Sequence, residues 1–122
     1  MSWSFTPDRP IYLQLQERLK HLIVSGVYPS GSKLPAVRDL ALEAAVNPNT
    51  AQKALTELER EGLVYVQRTS GRYVTEDTAV IEAVKNELAL IHVREFIKNM
   101  AAVGYGVGGA VEMIRKNEEG EI

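Results

Sequence analysis

The sequence predicts a mainly α-helical chain carrying one small β-hairpin. Three observations point that way. Apolar residues recur at helical spacing over most of the 122 residues. Asn47-Pro48 and Gly62 bracket a segment that reads as a single helix with clean ends. Two short β-prone runs, Leu63 to Gln67 and Arg72 to Thr75, flank the turn residues Thr69-Ser70-Gly71.

Residues 1–9 read as a loose arm that Trp3 and Phe5 can pack down. From Pro10 the pattern becomes helical, with Tyr12, Leu15, Leu19, Leu22 and Ile23 on one face. Gly26 ends this helix, and Tyr28-Pro29-Ser30-Gly31 supplies turn chemistry. Pro35 precedes a second helix whose inner face is Val37, Leu40, Ala41 and Ala44. Asn47 is a favoured N-cap for the third, and Pro48 suits its first position, where no partner awaits the missing N–H. Helix, helix, helix, hairpin is the order of a winged helix-turn-helix. Residues 77 to about 102 then read as a longer helix. Gly104, Gly106, Gly108 and Gly109 separate it from a last short one over about 110–117, and a polar tail follows that we expect to fray.

Composition removes several functions. The absence of cysteine excludes disulfides, thiolate metal sites and cysteine nucleophiles. No run of about 18 apolar residues is present to span a membrane, and the N-terminus lacks the basic start and apolar stretch of a signal peptide. A cytoplasmic location is expected. No triad, metal cluster or carboxylate pair stands at a telling spacing, so neither an enzyme nor a cofactor is expected. His21 and His92 have no matching ligand pattern. The stretch Gly104-Tyr105-Gly106-Val107-Gly108-Gly109 lacks the preceding strand and following Lys-Ser/Thr of a phosphate loop, and reads as an interhelical hinge. Charge divides unevenly. Residues 1–75 hold nine Lys/Arg against seven Asp/Glu, and residues 76–122 hold five against nine. A mildly basic front and an acidic tail fit a DNA-binding domain over 1–75 and a helical partner-binding segment over 76–122.

The third helix has the composition of a DNA reader. On a helical wheel Ala51, Ala54, Leu55 and Leu58 cluster on one side, with Asn49, Gln52, Lys53 and Thr56 almost opposite. Every surface helix has a polar face, but a merely solvated one usually favours Glu and Lys. Here those charges are delayed until Glu57, Glu59, Arg60 and Glu61. Amide, hydroxyl and amine groups can discriminate base-pair edges in the major groove. The first turn, with Asn47, Asn49 and Thr50, is where such helices make most base contacts. Arg38 stands outward near the start of the second helix, which in this motif crosses the DNA backbone. Arg68, Ser70, Gly71 and Arg72 surround the hairpin tip and suit a wing laid along phosphates or in the minor groove. The alternative is a winged-helix protein-interaction module without sequence-specific DNA reading, which would tolerate acidic or apolar residues on this face.

These residues resemble the GntR family of bacterial transcription regulators, in particular its short YtrA-like branch. The resemblance runs through Tyr28 to Pro35, Val37 to Ala41, Val46 to Thr50 and Ala54 to Val64. It implies a homodimer that represses a nearby operon, often one encoding a transporter. It also implies DNA contacts at Arg38, Asn47, Asn49, Thr50, Gln52, Lys53, Ser70, Gly71 and Arg72. Three positions depart from the family pattern. Ala44-Ala45-Val46 lacks the usual turn glycine, so Ala45 is strained if it turns left-handed. Ala36 replaces a capping Ser, and the wing keeps only Gly71.

The C-terminal segment is apolar on too many sides for exposure. Ile81, Val84, Leu88 and Ile91 form one stripe, and Val93, Phe96, Ile97 and Met100 another. We expect a second copy to cover Ile81, Val84, Leu88, Ile91, Phe96, Ile97 and Met100, and a symmetric pair would read a palindrome. The segment is short for a pocket of roughly a few hundred Å³, so no small-molecule effector is supported.

Overall fold

Helix α1 (Ile11–Val24) forms where the apolar stripe lies, burying Leu15, Leu19, Leu22 and Ile23. The computed structural model describes residues 3–120. Helix α2 (Val37–Ala44) follows the turn region and buries Leu40, Ala41 and Ala44. It begins at Ala36 without a side-chain cap and ends at Ala45 in the left-handed conformation, φ 56° and ψ 48°. The strain foreseen there is present. The reversed backbone lets the Val46 N–H donate to the Ala41 carbonyl at 2.9 Å, which closes the helix.

Helix α3 (Pro48–Arg60) starts as its cap predicts: the Asn47 side-chain oxygen accepts from the Asn49 N–H at 2.8 Å. Ala51, Ala54, Leu55 and Leu58 are buried where α3 meets α1 and α2. Its far end is tied to α1 by charge. Lys20, itself buried, donates to Glu61 at 2.8 Å, and Gln16 donates to the other Glu61 oxygen at 2.7 Å. Gly62, at φ 81°, then releases the chain into the hairpin.

Strands β1 (Val64–Gln67) and β2 (Gly71–Val74) pair antiparallel, with Val64 opposite Val74 and Gln67 opposite Gly71. Leu63, expected in the first strand, instead closes α3 by donating to the Leu58 carbonyl at 3.1 Å. Thr75 falls just outside the second strand and donates to the Leu63 carbonyl at 2.8 Å. The hairpin gains a neighbour that periodicity did not reveal. Lys33 forms an isolated antiparallel bridge with Tyr73. The Leu34 N–H donates to the Arg72 carbonyl, and the Val74 N–H to the Ser32 carbonyl, each at 2.9 Å. Three residues between Gly31 and Pro35 are too few to show a strand pattern.

Contacts divide the chain into two compact units, one running to Lys85 and one from Asn86. The division falls inside helix α4 (Thr78–Ala102). Helix α5 (Val107–Glu118) begins three residues before the expected 110, so Gly108 and Gly109 lie in its first turn and only Val103 to Gly106 make the connection. The cause is local. Gly106 is extended as N-cap, and a Cβ on Gly109 would stand 3.1 Å from the Tyr105 ring, so the ring packs where a larger residue would sit.

Candidate nucleic-acid interface

The buried Ala/Leu face of α3 fixes which side chains point outward. Asn49, Gln52 and Lys53 are exposed, and Thr50 and Thr56 are half-buried. Gln52 donates to the Thr56 hydroxyl at 3.2 Å, so the two form one polar strip along the helix. Asn47 caps α3 with its oxygen, leaving its amide N–H groups as donors toward a ligand. Arg38 is exposed at the start of α2. The predicted residues of α2 and α3 therefore stand on the exposed surface of one helix-turn-helix.

The wing departs from expectation in one side chain. Arg68, Ser70 and Gly71 are exposed around the tip, and the Ser70 hydroxyl accepts from Tyr73 at 2.9 Å. Arg72 is turned inward. Its Nε is buried, lacks a hydrogen-bond partner and faces Glu59 of α3 at 3.6 Å. Arg72 thus joins the wing to the recognition helix instead of extending from the tip. Gly71, at φ 123°, has the Lys33 side chain alongside, and a Cβ there would come within 3.0 Å of Lys33 Cε. That packing sets an exposed lysine beside the wing, which sequence reading missed because Lys33 lies in a turn far from the hairpin.

Sequence reading also missed Tyr12. It falls in the apolar stripe of α1, yet the Lys53 ammonium lies 3.9 Å from its ring centroid. The available signal was a phenol in an otherwise aliphatic stripe.

The residues expected to meet a second copy divide by burial. Ile91, Phe96 and Ile97 remain 42, 39 and 39 % exposed, while Ile81 and Met100 are half-buried. Val84 and Leu88 are already buried within the single chain, at 6 and 7 % exposure, and offer little surface to a partner. Within the second unit, Phe96, Met100, Met113, Ile114, Asn117 and Glu118 line an open cleft of about 490 Å³, more room than the length of the segment suggested. Among the described residues no helix is long and apolar enough to cross a membrane, and no three His, Asp or Glu residues are grouped to hold a metal.

Residues 11–74 match the family model described as bacterial regulatory proteins, gntR family. The chain is similar to the HTH-type transcriptional repressor YtrA of Bacillus subtilis, 36% identical over 107 residues, covering 88% of this chain and 80% of that one. Among solved structures it resembles a GntR family transcriptional regulator from Listeria monocytogenes, with TM-score 0.83 and 37% identity over 92% of this chain and 98% of that one. It also resembles the DNA-binding domain of AraR in complex with operator ORX1, with TM-score 0.57 and 25% identity over 62% of this chain and 96% of that one.

Proposed function

The chain belongs to the gntR family of bacterial regulatory proteins, and from that premise we propose that it is a homodimeric repressor reading a palindromic operator. Membership makes it a DNA-binding transcription regulator and not an enzyme. The observation that carries the reading is the face of α3. Asn49, Gln52 and Lys53 stand exposed directly behind a fully buried Ala51, Ala54, Leu55 and Leu58, so the helix presents donors and acceptors without an intervening acidic side chain. Arg38, Asn47, Thr50, Arg68, Ser70 and Gly71 flank this strip as phosphate and groove contacts, with Arg72 holding the wing against α3.

Dimerisation is supported by the exposed Ile91, Phe96 and Ile97, an apolar surface that water solvates poorly. Two recognition helices related by a twofold axis select an inverted repeat with half-sites about 10 base pairs, or a multiple, apart. The likeness to a repressor supports repression, and the resemblance to the short branch supports a nearby transporter operon as target.

Selection from a randomised duplex library over a range of salt tests the reading. One inverted-repeat motif is the expected product. Salt-sensitive retention with no motif would reject sequence-specific reading by this chain alone. A reporter carrying the recovered motif across its promoter should fall in expression when the chain is present; a rise would replace repression by activation.

A further inference from the structure

We propose that Tyr12, which lies outside the helix-turn-helix, is a positioning residue that holds the Lys53 ammonium to read a guanine edge. The proposal rests on α3 being the DNA-reading helix. Lys53 is exposed on that helix, and an exposed lysine ordinarily samples many rotamers about four side-chain bonds. Here its Nζ sits 3.9 Å from the centroid of the Tyr12 ring, well inside the distance at which a cation is drawn to an aromatic face. Tyr12 is itself fixed. It is half-buried in the first turn of α1, the helix that packs along α3. The ring is therefore a rigid platform supplied by a different helix.

The platform leaves the ammonium usable. An ammonium carries three N–H donors and no acceptor, and the ring takes up only one side of it. The remaining donors match a base edge that offers acceptors alone. In the major groove guanine offers two adjacent acceptors, O6 and N7, whereas adenine also presents a donor amine and thymine a single acceptor beside a methyl group, so guanine engages the most donors. A lysine fixed before DNA arrives loses less freedom on binding, and its reach is limited to one base step.

The test uses the full chain and the duplex recovered by the selection. Y12F keeps the ring and should bind as the parent does. Y12L should bind about two- to five-fold more weakly, the range of an exposed cation–ring contact. Y12M, whose unbranched and flexible side chain can follow the path of the ring, should do the same if Y12L loses its fold. The loss should vanish on duplexes whose matching guanine is replaced, and Y12L/K53A should bind no more weakly than K53A. In NMR spectra the Lys53 Hε protons should be shifted upfield by the ring in the parent and in Y12F, and return to ordinary positions in Y12M. If K53A weakens binding while Y12L and Y12M leave affinity and base preference unchanged, the role of Tyr12 is overturned and α3 remains the reader. If K53A weakens all sequences alike and lowers the salt slope by about one, Lys53 serves a phosphate and the guanine assignment is overturned. If K53A binds as the parent does, the reading of α3 falls and the proposal with it.

Discussion

Ala45 occupies a backbone conformation that an L side chain enters at a cost, and its methyl group is exposed, so packing returns little. The left-handed region costs a non-glycine residue ~1–2 kcal/mol. Glycine avoids that cost but gives back ~0.4–1 kcal/mol through a more flexible unfolded chain. A45G should therefore stabilise the protein by about 0.5–1 kcal/mol, read as a rise of a few degrees in Tm; an unchanged or lower Tm would mean that the turn is not strained. A second residue-scale prediction concerns pH. The Arg9 guanidinium grips both Glu17 oxygens, at 2.7 and 3.0 Å, and holds that carboxyl below its ordinary value of 4.5. A depressed acid stabilises the fold above its unfolded pKa, and the contribution disappears as pH falls through the lower folded value. Both side chains are nearly half exposed, so R9A should cost only ~0.2–1 kcal/mol at neutral pH. The gap between its Tm and that of the parent should narrow as pH falls below 4.5 and the Glu17 carboxyl protonates, and a constant gap would assign the effect to packing. Single-residue features divide by what they depend on. The Asn47 cap and the Ala45 turn were legible because each is set by immediate neighbours in the chain. The Lys53–Tyr12 and Arg72–Glu59 contacts were not, because each joins elements that only tertiary packing brings together.

Among the elements, α3 depends most on one side chain. Removing the Asn47 oxygen orphans the Asn49 N–H in the turn that carries Asn49 and Thr50. N47A should lose about 1 kcal/mol in stability, measured by thermal melting, and weaken operator binding. N47S restores a capping oxygen but not the amide donors. Full recovery of both stability and affinity would remove Asn47 from the DNA contacts; recovery of stability alone would keep it there. The helices were legible because their buried faces repeat at a steady period, as in Ala51, Ala54, Leu55 and Leu58. The early start of α5 was not. Two glycines read as breakers, and their place in a first helical turn follows from the Tyr105 ring packing against Gly109. Lys33 beside Tyr73 was equally hidden, since a single bridge has no period.

For the molecule as a whole, dimerisation should be tested at the apolar residues that remain exposed. I91E, or F96E if the first is tolerated, should yield a monomer by sedimentation and lower affinity for the full inverted repeat by more than about ten-fold, since each half-site would then be bound alone. A variant still dimeric would move the interface off this face. Leu88 is a poor choice, because a charge there enters a site the single chain already buries. The sequence showed this segment to be too apolar for solvent, and could not show which of its residues the chain covers for itself. Self-covered residues also decide where the protein can be cut. Helix α4 runs unbroken through the boundary between the two compact units, and Val84, buried two turns into it, belongs with the first. A DNA-reading fragment trimmed after Thr75 would cut inside the first compact unit and discard its buried Val84. Trimming after Lys85 leaves that unit whole.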